Sequence, residues 1–277
     1  DAVATAAGSA TDAGALSLPD AERASYAADV RDARDRLRSV GGLDFDVPET
    51  VEVQNRRHWI DANVATFRRV MRPVESEVSV AFPAAVSVVN TGSMAAVLSF
   101  LASRVLGQYD PRLFADSEAH GLYFVHPNVV DTAAELGVDY PRFRRWIAFH
   151  EVAHAAEFGA APWLADHLES RMEDALETLS HGGFDSDAFR DLDVTMTAVE
   201  GYAELLMDRA FDEEYADLRA AIEIECAGVG CPEEPNVLVG MAVFAGLACE
   251  PQGVAGDAEK LTRTEQPHCL VFGRATI

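Results

Sequence analysis

Apolar side chains recur at intervals of three and four residues over much of the chain, which is the spacing of one buried helix face. From Pro19 to about Val40, charged and alanine-rich turns predict a helix that ends at Gly41. Residues 55–75 predict a second packing helix, whose apolar positions are Trp59, Ile60, Val64, Phe67, Val70 and Met71. Residues 1–20 have little periodicity, so they predict a loosely ordered lead or the remainder of a helix.

Strand patterns are few and short. Residues 44–53 are rich in β-branched side chains but contain Pro48, which predicts a linker or an edge strand. Residues 107–111, with the sequence GQYDP, predict a turn. The clearest strand pattern runs from Leu122 to Val130, which is aromatic and β-branched and which Pro127 is expected to stop.

Helical patterns dominate the rest of the sequence. A largely apolar helix is predicted from Ser93 to Leu106. Beyond the strand, helical stretches continue to at least Asp212, separated by Gly159 and by a glycine-rich loop around Gly182. The predicted fold class is therefore mainly α with a small β component.

The stretch from Pro141 to Phe158 carries the candidate chemistry. It begins with a proline suited to the first helical turn and ends before a glycine, which predicts a helix of about five turns. His150 and His154 are four residues apart and share one face, so both imidazoles can bind one zinc ion (Zn²⁺). Glu151 can then act as general base on a water at that ion. Histidines that are merely satisfied within the apolar core are the alternative.

A catalytic zinc ion needs a third protein ligand and one open position. Glu200 is the best candidate, because it lies in the apolar helical segment VTMTAVEGYAELLMD. One turn later, Glu204 is placed to accept a hydrogen bond from the outer nitrogen of a ligand histidine. A solvated helix face is the alternative for both glutamates, and His167 and His181 are the competing third ligands.

The net charge of the chain indicates which classes of binding partner are unfavourable. The 46 acidic and 22 basic residues give a net charge of −24, and Lys260 is the single lysine. At molar salt the Debye length falls to about 3 Å, which screens the repulsion within such a surface. The composition is typical of a halophile's cytosolic protein, with an ordinary acidic enzyme as the alternative. It argues against binding to nucleic acid or to an anionic membrane.

Targeting signals are not visible in the sequence. The longest apolar candidate, Val237 to Ala248, is about 12 residues long, whereas a membrane span needs about 20. No basic region precedes an apolar stretch at the N-terminus, so no signal peptide is predicted, and what preceded Asp1 is left open. We therefore expect a cytoplasmic protein, in which the four cysteines, all after position 225, are reduced thiols.

Four segments of the chain are distinctive when taken together. They are VLGQYDP (Val105 to Pro111), LYFVHPN (Leu122 to Asn128), FRRWIAFHEVAHAAEFGAAPWL (Phe143 to Leu164) and AVEGYAELLMD (Ala198 to Asp208). They resemble a family of zincin-like metallohydrolases of the gluzincin type, which occurs in actinobacteria and haloarchaea and is associated with biosynthesis of the deazaflavin redox coenzyme. The resemblance implies a mainly helical zincin-like fold with zinc on His150, His154 and Glu200. It also implies a carboxylate behind the site at Glu204, where family members commonly have aspartate.

The resemblance extends from about Asp44 to Leu218 and suggests three parts. Residues 1–43 form an N-terminal lead and helix, and residues 44–220 form the zincin-like catalytic domain. Residues 221–277 are cysteine- and glycine-rich without clear periodicity, unlike the family's basic and apolar helices. A frameshifted or replaced C-terminus is one hypothesis for that atypical tail, and sequencing the locus again would test it.

The predicted activity is hydrolysis of peptide amide bonds by a zinc-dependent mechanism with Glu151 as general base. Tyr202 and His126 are candidates for stabilising the oxyanion or contacting the substrate, and Leu122 to Val125 are candidates for aligning an extended peptide. The alternatives are a non-peptidase zinc hydrolase of amides or esters in a coenzyme pathway, and a catalytically silent zinc-binding helical protein. The sequence does not indicate an oligomeric state.

Overall fold

The computed structural model describes residues 2–14, 18–48, 51–78, 83–111, 120–180, 187–211 and 215–221. Within these ranges the chain forms the eight α-helices and three β-strands given below, and residues 216–221 are helical as well. In chain order they are α1 (Ala2–Ala10), α2 (Asp20–Gly41), β1 (Val51–Gln54), α3 (Arg56–Val78), α4 (Pro83–Ala102), β2 (Gly107–Asp110), β3 (Gly121–Val125), α5 (His126–Glu135), α6 (Tyr140–Ala160), α7 (Leu164–Ser180) and α8 (Asp187–Phe211). The prediction of a mainly helical fold with a small β component is confirmed.

The three strands form one small mixed sheet in the order β1-β3-β2. β3 lies in the centre, parallel to β1 and antiparallel to β2. Val51 of β1 is paired with Leu122, and Gly107 of β2 is paired with Phe124. The prediction of an edge strand within residues 44–53 is therefore confirmed, since β1 begins after Pro48 and pairs with one neighbour.

Two local predictions are wrong. Residues 107–110 are an edge strand and not a turn, because their backbone pairs with β3 and Gln108 and Tyr109 are buried. The strand predicted from Leu122 to Val130 ends at Val125, where α5 begins. Pro127 lies in the first turn of that helix, where a missing backbone N–H costs nothing. The proline therefore starts a helix as well as ending a strand.

The sheet separates two hydrophobic clusters. One gathers residues of α2, α5, α6, α7 and α8 and includes Phe124 of the sheet. The other gathers α1, α3 and α4 on the opposite face and includes Val125. Neighbouring residues of β3 belong to different clusters because successive side chains of a strand point to opposite faces. The result is a thin sheet covered by helices on both sides.

Helix α6 is the buried centre of the first cluster. It packs along α2 and also contacts α8, α5 and β2. Tyr26 and Leu37 of α2 are fully buried in the same cluster as Phe149 of α6. The helix predicted within the N-terminal lead thus shares one core with the helix that carries the histidine pair.

The N-terminal segment is helical, which is one of the two alternatives predicted for it. α1 buries Val3 and Ala7 against α4. The predicted tail, residues 221–277, lies outside the described residues apart from its first position. None of the helices within the described ranges combines the length and the apolar character that a membrane span requires.

Candidate metal centre

The predicted five-turn helix is present as α6, and its local sequence explains its limits. The side chain of Asp139 caps the N-terminus by accepting a hydrogen bond from the backbone N–H of Arg142 at 3.0 Å. Pro141 lies in the first turn. Every residue from Trp146 to Phe158 is buried, so polar side chains in this stretch need internal partners.

Three ligand atoms from two helices meet inside the protein. The Nε2 atoms of His150 and His154 are 3.1 Å apart, as the spacing of four residues predicts. The Oε2 atom of Glu200, which α8 supplies, lies 3.7 Å from each of these nitrogens. All three residues are buried, and the three ligand atoms lie within 4.8 Å of one another.

This arrangement fits a zinc ion. Zinc ligand bonds of about 2.0 to 2.2 Å accommodate separations of 3.1 and 3.7 Å between ligand atoms at angles near those of a tetrahedron. Two imidazole nitrogens and a carboxylate oxygen are also a ligand set of zinc hydrolases. Among the described residues, Glu200 Oε2 is buried and has no hydrogen-bond partner. A cation would satisfy that oxygen.

Glu151 is held against strand β2. Its Oε2 atom accepts a hydrogen bond from the backbone N–H of Tyr109 at 2.8 Å. Gly107 leaves room for it, since a Cβ atom there would lie 2.6 Å from both Cγ and Oε1 of Glu151. Within the described part of the chain, the buried Oε1 atom has no hydrogen-bond partner. One oxygen is thus anchored, and the other retains its capacity to accept a proton.

Burial dominates the electrostatics of the centre. It raises the pKa of Glu151 to about 8 and also raises the pKa of Glu200. Burial lowers the pKa of His150 well below its ordinary value, and the neighbouring His154 lowers it further. For His154 burial acts in the same direction, but nearby carboxylates, led by Glu200, outweigh it and raise its pKa to about 9. A cation between these groups would offset the cost of burying the carboxylates.

A second glutamate of α6 lies behind the histidine pair. Glu157 Oε2 is 2.7 Å from Nδ1 of His154, the ring nitrogen on the far side from Glu200. Sequence reasoning assigned this contact to Glu204 and missed Glu157. Glu204 lies one turn beyond Glu200 and is half-buried. The spacing of three residues after His154, which places two side chains on one helix face, was the signal for Glu157.

Other predicted site residues lie elsewhere. Tyr202 follows Glu200 by two positions, so it projects from nearly the opposite side of α8, where it is 39% exposed. His126 Nδ1 lies 3.2 Å from the hydroxyl groups of both Tyr26 and Tyr140, in a separate polar cluster. The structure therefore does not bring Tyr202 or His126 to the triad.

The competing third ligands do not join the pair of histidines either. His167 is exposed on α7, where its ring lies 5.7 Å from that of Trp163 and its Nε2 atom 3.4 Å from the hydroxyl of Thr195. His181 lies outside the described residues. Of the candidate ligands within the described ranges, Glu200 is the residue that meets both imidazoles.

The strand predicted to align a substrate is not the one beside the site. Leu122 to Val125 belong to β3, which pairs with β1 on one side and with β2 on the other. Its backbone groups are therefore already used, and it has no open edge for a peptide. The strand that borders α6 is β2, which was predicted to be a turn.

Comparison with known proteins supports the interpretation of this site as a metal centre. A family model described as zincin-like metallopeptidase matches residues 1–184, which include His150, Glu151 and His154 but not Glu200. Among solved structures, the chain is similar to a proposed hydrolase with a novel fold from Chloroflexus aurantiacus. The TM-score is 0.66 at 24% identity, over 88% of this chain and 78% of that one, so this likeness concerns the fold. No curated protein matches the chain.

Proposed function

Because the chain belongs to the family of zincin-like metallopeptidases, we propose that it is a zinc-dependent peptidase with His150, His154 and Glu200 as metal ligands. The observation that carries the proposal is the meeting of these three buried ligand atoms within 4.8 Å of one another. The anchored glutamate beside them supplies a base. Zinc-assisted hydrolysis of an amide requires at least metal ligands and a base in the same site.

The metal and the protein have separate tasks in this proposal. When bound, zinc supplies Lewis acidity, which polarises the substrate carbonyl and makes water acidic enough to lose a proton near neutral pH. The two imidazoles and Glu200 would hold the ion, and the burial of all three residues shields their ligand atoms from bulk water.

Glu151 is the proposed general base. The N–H of Tyr109 holds its Oε2 atom, which leaves Oε1 to take a proton from the attacking water. The same oxygen then returns the proton to the nitrogen of the leaving amine, so that the amine departs neutral. Preorganisation by β2 keeps the carboxylate from rotating between these two transfers.

The family of the chain supports a peptide as substrate, because the family model that it matches is described as a zincin-like metallopeptidase. We therefore favour amide bonds within peptides over those of compact small molecules.

Two measurements test the proposal. Metal analysis of the purified wild-type chain should give about one zinc per chain, and His150→Ala should lose it because one of three ligands is removed. The zinc-loaded protein, in high salt, should then be screened with casein, short peptides and small amides or esters, with His150→Ala as the inactive control.

The outcomes separate the alternative functions. Cleavage of casein or short peptides supports a peptidase. Turnover of small amides or esters alone would point to a hydrolase of a coenzyme pathway. Bound zinc without detectable hydrolysis of any of these substrates would favour a helical protein in which the metal stabilises the fold. A wild-type chain that binds no zinc would contradict the proposal outright.

A further inference from the structure

His154 carries a buried carboxylate on the side that faces away from the other ligands. Its Nδ1 atom lies 2.7 Å from Oε2 of Glu157, and the two side chains belong to the same helix three residues apart. Both residues are buried, with 8% of His154 and 5% of Glu157 exposed. Helical spacing alone brings them together, so the contact does not depend on the packing of a second element.

The chemistry of the contact decides which nitrogen of His154 carries the proton. A neutral imidazole has one N–H donor and one acceptor nitrogen, and an ionised carboxylate can only accept. Glu157 therefore requires the proton of the neutral ring to be on Nδ1. The lone pair is then on Nε2, the atom that lies 3.1 Å from His150 Nε2 and 3.7 Å from Glu200 Oε2.

We infer that Glu157 is a positioning residue of the zinc site, which fixes the tautomer and the ring orientation of His154 and so strengthens metal binding. This inference rests on the proposed zinc site but not on any particular substrate. It assigns to α6 a longer functional pattern than the histidine pair and its base. The four polar positions are His150, Glu151, His154 and Glu157.

Burial argues that this carboxylate has more than a packing role. Taking a charged carboxyl group out of water is costly unless it is hydrogen-bonded and paired. An apolar residue at position 157 would fill the same space within this helix without that cost. What an apolar residue would lose is the acceptor behind His154, since such acceptors hold ligand histidines in place and make them more basic.

The test compares four variants by their affinity for zinc, one of which is Glu204→Gln. Glu157→Gln keeps an acceptor oxygen but removes the charge, and Glu157→Ala removes both. Glu173→Gln, an exposed glutamate of α7, is the matched control. Zinc affinity is measured by competition with a chromophoric chelator, and thermal unfolding of the metal-free proteins is recorded alongside.

We expect graded weakening. Glu157→Ala should lower zinc affinity by about 10- to 100-fold, Glu157→Gln should fall at the lower end of that range, and Glu173→Gln should remain within about twofold of the wild type. The unfolding temperature of metal-free Glu157→Gln should match that of the wild type, so that its loss of affinity reflects the ligand. Cobalt loaded in place of zinc should give an altered absorption spectrum in the same variant.

Other results would overturn the inference. Wild-type affinity in both Glu157 variants would remove any role in metal binding. Wild-type behaviour of Glu157→Gln, combined with equal loss of stability and affinity in Glu157→Ala, would reduce Glu157 to a packing residue. A loss in Glu204→Gln with none in Glu157→Gln would transfer the role to Glu204. Because affinity is measured without a substrate, a failure here is distinct from a failure to find peptidase activity.

Discussion

Both halves of α6 contain ionisable side chains, but the two halves differ in whether those side chains have partners within the protein. In the N-terminal half, each arginine meets carboxylates: Arg142 with Asp217, Arg144 with Glu22 and Asp29, and Arg145 with Asp32. In the C-terminal half, a buried oxygen of Glu151 has no hydrogen-bond partner among the described residues. Neither has the oxygen of Glu200, on α8, that faces the histidines of this half.

The difference separates groups that stabilise the fold from groups that retain capacity for a ligand. Arg144 makes hydrogen bonds of 2.7 Å to two carboxylates and lies over the rings of Tyr26 and Tyr140. Because Arg144 lies on α6 and both carboxylates lie on α2, these hydrogen bonds hold the two helices together. Buried acceptors without partners are rare in proteins, and where they occur they often mark a ligand or a reaction.

The sharpest test of the contrast is Glu151→Gln, in the C-terminal half. The amide cannot take a proton from water, so turnover should fall by about 10²- to 10⁴-fold, a loss of about 3 to 5 kcal/mol. Zinc content should stay at the wild-type level because the three ligands remain. Turnover is measured on whichever substrate the wild type cleaves, and wild-type turnover in this variant would remove Glu151 from the mechanism.

The matching change in the N-terminal half is Arg144→Met. It leaves the carboxylates of Glu22 and Asp29 without their buried partner, so the free energy of unfolding should fall by about 3 kcal/mol. Zinc affinity should not change, since the cluster lies in the other half of the helix. Urea denaturation in high salt and chelator competition measure the two quantities. A loss of zinc affinity without loss of stability would contradict the division.

A smaller effect is expected where β2 contacts the site. In Gly107→Ala the new Cβ would lie 2.6 Å from Glu151 Cγ and Oε1, so the carboxylate must move. Turnover should fall by about 10-fold, or about 1.4 kcal/mol, with zinc affinity retained. Gly201→Ala is the control, because its added Cβ meets no atom within 4 Å although it adjoins Glu200. Equal effects of the two substitutions would contradict the requirement for a glycine at position 107 beside Glu151.

The smallest effect is expected for the ion pair of Arg142 with Asp217, the most exposed of the arginine pairs in the N-terminal half of α6. The hydrogen bond from Arg142 lowers the pKa of Asp217 from 3.8 to about 2. The stability that this carboxylate contributes is therefore present above about pH 4 and is lost as the pH falls through about 2. Asp217→Asn should shift the urea midpoint slightly at about pH 5 and by less at about pH 3. A difference that grows as the pH falls would contradict the assignment.

Some of the fold was predictable because the signals are local. The proline at its start and the glycine after its end predicted α6 closely, since the predicted helix from Pro141 to Phe158 became Tyr140–Ala160. The spacing of His150 and His154 predicted that their rings would converge. The short strand β2 could not be predicted, because GQYDP has no alternating pattern and its pairing with β3 is what makes it a strand.

In the candidate site, too, some features follow from local sequence and others from tertiary contacts. Local spacing was enough to predict what lies on one helix: the two imidazoles, the adjacent glutamate and the position of Glu157, since the helical repeat places residues three and four apart on one face. Which distant groups join them depends on tertiary packing. It brought Glu200 to the histidines, turned Tyr202 outward and placed β2 behind Glu151. Those positions depend on how helices and strands pack across the whole core, which local spacing does not encode.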